Sequence, residues 1–241
     1  MKKILFILTT FSSWFILADD IRVVTEHLPP YQIAENGRLV DGSSYLIMKE
    51  VLKRANIKAI NEVMPWARAY EVGLNRKNTI IYSITRSPER EYLFNWIGPV
   101  HQMEYSFFSS KKNQILNIET TKDALNYRAV AVRNSFEANS LKSIGFIEGK
   151  NLILVVDYFT AWQMLKVGRA DITYANAPIL ELSDMNSSLF KRQGGVIETF
   201  QLYVAANINT DKKTINNLSS AFHSVKADSS FKKLFNLNTN E

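Results

Sequence analysis

Hydrophobic and polar positions along this chain fall into two alternating rhythms: short β-branched runs, and longer stretches with an apolar residue every three or four positions. Residues 21–26 read as a strand. Residues 42–56 read as a helix, with Leu46, Ile47, Val51 and Leu52 on one face. A strand over 59–64 follows, then a helix over 65–74 that starts on Pro65, where a missing N–H costs nothing. A strand over 78–84 completes a βαβαβ series, which implies a mainly parallel sheet covered by helices. The series returns as strands at 128–133, 152–156 and 171–174 with helices at 135–144 and 159–167 between them, and a further helix is expected at 177–184. Extended segments at 104–110 and 199–206 flank this second series, and helices at 212–225 and 229–235 end the chain.

Two repeated α/β units joined by two extended connections predict two lobes. Lobe one takes 19–108 and 204–241, and lobe two takes 109–203. In open α/β sheets the ligand site lies beyond the carboxyl ends of the strands, so two such lobes facing each other enclose a cleft suited to a small molecule. Residues 1–18 stand outside this pattern. The basic start Met1-Lys2-Lys3, the apolar run 4–17 and Ala18 ahead of Asp19-Asp20 describe a secretory signal peptide cleaved near Ala18, and hence a periplasmic mature protein.

Composition narrows the chemistry. The 241 residues include no cysteine, which excludes disulfides, thiolate metal sites, iron–sulfur clusters and a cysteine nucleophile. His27, His101 and His223 are too scattered for a histidine metal centre, and no cofactor is expected. The net charge of +6 comes from dispersed residues, the longest clusters being pairs such as Lys111-Lys112 and Lys191-Arg192, which argues against nucleic acid as a partner. No nucleophile–base pair, paired carboxylates or metal motif supports an enzyme.

The densest constellation is Ser83-Ile84-Thr85-Arg86-Ser87-Pro88-Glu89-Arg90, directly after the third strand. Hydroxyls, free N–H groups and a guanidinium at a strand's carboxyl end can hold a carboxylate, for which arginine's planar fork supplies two parallel donors. Alone, Ser-Pro-Glu-Arg also reads as a turn with a surface arginine.

With Phe94 and Gly98-Pro99 behind it, this stretch resembles the Thr-x-Ser/Thr-Pro-Glu-Arg signature of the periplasmic solute-binding proteins of family 3. These are amino-acid-binding components of ABC importers with a type II periplasmic-binding-protein fold. Pro29-Pro30-Tyr31 after the first strand, Gly37 and Asp41-Gly42 before the first helix, and Gly168-Arg169-Ala170-Asp171 before the last strand of lobe two fit the same pattern. The resemblance covers the whole mature chain.

It implies that Arg90 clamps a ligand carboxylate beside Thr85, with Ser83 and Ile84 in the same stretch and Ser135 and Phe136 completing the site from a helix start on lobe two. Ser135 also reads as a plain N-cap. Trp66 and Tyr31 fall at aromatic cleft positions, with core packing as their alternative. Arg68 faces either the cleft or solvent, and Trp96 and Trp162 read as structural. The departure is Asn176, where amino-acid-binding members usually carry an aspartate for the ligand ammonium; an amide adds no charge, and Glu26 at the end of the first strand is the compensating carboxylate on offer.

The expectation is therefore a monomeric extracytoplasmic protein that closes on a carboxylate-bearing solute and delivers it to an ABC permease. A cyclic-acid dehydratase on the same scaffold, with Glu26 as general acid, and a ligand-sensing receptor are the alternatives.

Overall fold

The computed structural model describes residues 21–112, 116, 118, 120–176 and 186–235; the leader expected at 1–18 and the helix expected at 177–184 lie outside them. One eight-stranded sheet runs through the molecule in the order β4-β1-β5-β10-β6-β9-β7-β8. Its strands are β1 (Arg22–Thr25), β4 (Asn61–Val63), β5 (Thr79–Thr85), β6 (Phe94–Ser110), β7 (Ala129–Val132), β8 (Leu152–Val155), β9 (Ile172–Asn176) and β10 (Phe190–Asn207). A separate hairpin pairs β2 (Ile33–Glu35) with β3 (Arg38–Asp41).

Each repeated series forms one parallel set. β1 pairs in parallel with β4 and β5, a set called lobe one below, and β7 does the same with β8 and β9, a set called lobe two. The helices crossing between these strands are α1 (Ser43–Arg54), α2 (Trp66–Asn75), α3 (Phe136–Ile144) and α4 (Tyr158–Lys166). They match the periodicity to within about two residues at each end, the usual uncertainty of helix ends. Ser135 and Asp157 cap α3 and α4 by accepting from the N–H groups of Ala138 (3.0 Å) and Thr160 (2.7 Å).

The extended connections are longer than the pattern suggests. β6 has 17 residues and β10 has 18, and they pair with each other antiparallel along both lobes. Residues Leu202 to Ala206 of β10 lie on β5, whereas Tyr105 to Ser109 of β6 lie on β9. Gly98-Pro99 and Gly194-Gly195 interrupt the β-branched pattern on these strands. The ladder absorbs them as register shifts between Gln193 and Glu198, Leu202 and Tyr203, and Val204 and Ala205.

Cores lie on both faces of the sheet. Ile47, Met48 and Val51 of α1 pack with Leu218, Phe222 and Val225 of α5 (Lys212–Ala227) on one side of lobe one. Trp66 and Ala69 of α2 cover Val24, Ile81 and Ile84 on the other. In lobe two Trp162 and Leu165 of α4 cover Phe108, Val130 and Phe190. The segment expected as one helix at 229–235 divides into a 3-10 turn at Ser229–Phe231 and the short α6 (Lys232–Phe235). No helix among the described residues is long and apolar enough to cross a membrane.

Candidate ligand-binding cleft

The carboxyl ends of both parallel sets open toward one another, and the chemistry collects there. From lobe one come Glu26 just past β1, Ser83 and Thr85 on β5, Trp66 at the start of α2, and Arg90 on the short turn Pro88–Arg90. From lobe two come Asn134 after β7, Phe136 and Glu137 in the first turn of α3, and Tyr158 at the start of α4. Glu26, Trp66, Ser83, Thr85, Arg90, Phe136, Glu137 and Tyr158, with Tyr105 of β6, line an inner chamber of about 10 Å³.

A backbone irregularity aims Ser83. Tyr203 of β10 pairs with Ile84 and Val204 with Tyr82, so Ser83 is the extra residue of a bulge, with φ 58°. A non-glycine residue pays for a left-handed φ, and bulges of this kind re-aim side chains beside functional sites. The Ser83 hydroxyl is buried, lines the chamber and has no hydrogen-bond partner among the described residues.

Arg90 is only 2% exposed. Its Nη1 donates to Thr85 O (3.2 Å) on its own lobe and its Nη2 donates to Asn134 O (3.2 Å) across the cleft. The guanidinium carbon sits 4.8 Å from the Tyr70 ring centroid and 5.7 Å from that of Trp66. Trp66 Nε1 donates to the same Asn134 carbonyl at 2.9 Å. One peptide oxygen of lobe two thus accepts two donors from lobe one, and the left-handed φ of 60° at Asn134, which asparagine tolerates, presents it. Behind them the Thr85 hydroxyl meets the Tyr105 hydroxyl at 3.2 Å, and Tyr105 stacks on Tyr174 (5.4 Å) and tilts against Phe136 (5.0 Å).

The chamber also holds two carboxyl groups. Burial pushes the Glu26 carboxyl well above the usual carboxylate range, the charges of Glu137 and Asp157 push it the same way, and Arg90 opposes them. Glu26 is 5% exposed and accepts no hydrogen bond from the described residues. Glu137 is raised too, chiefly by burial, against hydrogen bonds from its own backbone N–H, Ser135 and Tyr158 and the charge of Arg90. The Tyr158 hydroxyl donates to Glu137 Oε1 and Oε2, both at 3.0 Å. Burial, then these two carboxylates, drive the Tyr158 hydroxyl upward, so it stays a donor.

An outer chamber of about 750 Å³ continues from the inner one and shares Glu26, Leu28, Trp66 and Tyr158 with it. Pro29, Ile33, Met64, Val156 and Phe159 give it apolar walls, with Glu35 and Asp157 among them. His27 also lines it; burial pushes its imidazole down, and Nδ1 accepts from the Ala34 N–H (2.9 Å), so the ring is neutral.

Six of the residues singled out from sequence meet in the inner chamber: Glu26, Trp66, Ser83, Thr85, Arg90 and Phe136. The others do not line it. Tyr31 is fully buried in the lobe-one core against His101 (4.6 Å). Ile84 points into the core that α2 covers. Ser135 sits behind the site as the α3 N-cap. Asn176 is buried and spends its Nδ2 on Glu104 O (3.0 Å). Arg68 is exposed and lines a separate groove with Lys49, Lys53 and Lys58. Trp96 donates to Glu91 O (2.9 Å), and Trp162 packs in the lobe-two core while also lining the outer chamber. Sequence reasoning missed Asn134, Glu137 and Tyr158. Pairing Glu26 with Glu137 also corrects the reading that no paired carboxylates exist.

A comparison with curated proteins gives no match by sequence. Solved structures do match. A histidine kinase sensor domain with similarity to periplasmic binding proteins aligns with TM-score 0.77 at 15% identity, over 90% of this chain and 94% of that one. An ancestral arginine-binding protein bound to arginine aligns with TM-score 0.76 at 19% identity, over 90% and 96%. The GluR0 ligand-binding core from Nostoc punctiforme in complex with (L)-glutamate aligns with TM-score 0.75 at 15% identity, over 92% and 100%. At these identities the likeness is one of fold, the type II periplasmic-binding-protein architecture. Over residues 21–238 the sequence matches the bacterial extracellular solute-binding proteins, family 3, and the chain belongs to this family.

Proposed function

We propose that the chain captures a small polar solute, an amino acid or a related carboxylate-bearing molecule, in the cleft between lobe one (19–108 with 204–241) and lobe two (109–203). Arg90 carries the reading. A buried guanidinium whose described hydrogen bonds both go to backbone carbonyls, one on each side of the cleft, keeps donors for a carboxylate that enters between them. The inner chamber of about 10 Å³ holds no amino acid with the lobes in contact, so binding involves their parting and reclosing. The long strands β6 and β10, which change partners between the two parallel sets, are the natural hinge. The family and the leader expected from the sequence fit a periplasmic, monomeric protein serving an ABC permease, and a binding protein rather than an enzyme. The fold shared with a histidine kinase sensor domain keeps one other reading in play, a receptor that passes occupancy to a membrane partner.

The test is a thermal-shift screen of refolded protein against the amino acids and small carboxylates. Stabilisation by a subset of them supports the reading, because a ligand at a hundred times its Kd adds about 2.7 kcal/mol. No shift with any of them refutes it.

A further inference from the structure

We propose that the basic groove along the outer edge of β4 docks an extended acidic segment of a partner protein. The proposal does not depend on the solute reading. This groove of about 830 Å³ lies on the rim of lobe one and meets the outer chamber only at Gly37, Val63 and Met64. Charge is the first argument. Arg38, Lys49, Lys53, Lys58 and Arg68 line the groove, and Glu62 is the one acid among its described lining residues. Arg22 holds that acid, Nε to Oε1 at 2.7 Å and Nη2 to Oε2 at 2.6 Å, and keeps its carboxyl below the usual carboxylate range. Lys53 meets Glu50 at 3.5 Å in an exposed pair of little energetic weight. The other four cations make no ion pair among the described residues.

An open sheet edge is the second argument. β4 ends the eight-stranded sheet, with β1 on one side and no strand of that sheet on the other. Met64 N donates to Thr25 O (3.0 Å) on the β1 side. Alternate residues of a strand bond to opposite sides, so Asn61 and Val63 turn their N–H and C=O groups to the uncovered edge. The hairpin of β2 and β3 borders the groove at Gly37, Arg38 and Leu39 without pairing to β4. Asn61 Oδ1, buried in the groove wall, has no hydrogen-bond partner among the described residues. An acidic peptide brings N–H donors for these acceptors as well as carboxylates for the cations, which a bare anion does not.

Placement of the cations is the third. Lys49 and Lys53 come from α1 and Arg68 from α2, helices that pack on opposite faces of the sheet. Arg38 comes from the hairpin and Lys58 from the approach to β4. A strand added to β4 therefore meets positive charge from both of its faces. Cations on an edge strand can also serve to keep copies of a chain from pairing, but β4 itself, Asn61-Glu62-Val63, carries none. Ile60, 81% exposed beside this edge, offers an apolar contact among the charges. Recognition through backbone groups and charge tolerates sequence, so a generic acidic β-forming peptide is a sufficient probe.

Fluorescence anisotropy with the fluorescein-labelled peptide TEVDVEVDT tests this, in about 20 mM and about 200 mM salt. The expected results are saturable binding at low salt, at least tenfold weakening at high salt, and no binding of the cationic counterpart TKVKVKVKT. N-methylation of the peptide nitrogens, which keeps the charge and removes strand pairing, should weaken binding at least tenfold. So should Lys49→Glu combined with Lys58→Glu, two exposed positions, in a protein whose melting temperature stays at the wild-type value. The wild-type peptide series decides by itself if that variant is unstable. No binding of the acidic peptide at low salt overturns the proposal. Equal binding of the N-methylated form overturns it too, because charge alone is then the attraction. Sedimentation with phosphatidylglycerol vesicles by a protein that ignores the peptide assigns the groove to a lipid surface and likewise overturns it.

Discussion

Arginine 90 offers the sharpest single perturbation, because lysine keeps its charge and removes its shape. In the structure Nη1 reaches Thr85 O and Nη2 reaches Asn134 O, each at 3.2 Å, through two nitrogens of one planar group. A lysine ammonium on a flexible stem is a point donor that does not reproduce this fork, nor its stacking on Tyr70 and Trp66. The variant therefore forfeits at least one charge-assisted hydrogen bond in the closed, ligand-filled state, worth about 1.5–3 kcal/mol. Converted at about 1.4 kcal/mol per decade, Arg90→Lys should weaken a carboxylate ligand by roughly ten- to a hundredfold. Arg90→Ala should reach about a hundredfold or more, because it also leaves the ligand's carboxylate without a counter-charge. Isothermal titration with the tightest carboxylate found in the screen measures both, and thermal melts of the ligand-free variants report on folding. An Arg90→Lys protein that melts like wild type and binds within threefold of it refutes the assignment of the guanidinium as the carboxylate clamp.

Two further outcomes follow from packing and charge. A Cβ on Gly98 of β6 would overlap the Phe222 ring of α5, so Gly98→Ala should cost about 1–3 kcal/mol and lower the melting temperature without changing ligand selectivity; an unshifted melt contradicts the packing. Because the folded-state values of Glu26 and Glu137 are raised, the stability they contribute is full at acid pH and falls as pH climbs through those raised values. Glu26→Gln should flatten this loss between mildly acidic and neutral pH in urea titrations, and an unchanged pH profile rejects the assignment.

The fold was legible where local pattern and tertiary role coincide. The helix expected at 135–144 is Phe136–Ile144, and the strand expected at 78–84 is Thr79–Thr85, because fully covered strands and one-sided helices carry the 2.0 and 3.6 periods in their own residues. β6 and β10 were read at less than half their length. Glycines and a proline sit inside them, and whether such residues end a strand or ride on it as bulges depends on the partner strand.

The site divides along the same line. Arg90, Thr85, Ser83 and Glu26 were recoverable because they lie within a few residues of β1 or β5, whose carboxyl ends the α/β pattern already marks as the binding edge. Glu137 was not, although an acid in the first turn of α3 was visible, since that position usually serves the helix dipole alone. Its second role exists only once the lobes face each other and Tyr158, Arg90 and Glu26 surround it. Asn176 is the converse. It was weighed as the uncharged amide standing where an aspartate usually meets the ligand's ammonium, but it lies outside the inner chamber, its Nδ2 donating to Glu104 O on β6 and its buried Oδ1 without a hydrogen-bond partner among the described residues. A charge missing from one strand end is therefore weak evidence against ammonium recognition in such a cleft, because carboxyl groups elsewhere around it, here Glu26 just past β1 and Glu137 at the start of α3, line the chamber that Asn176 does not.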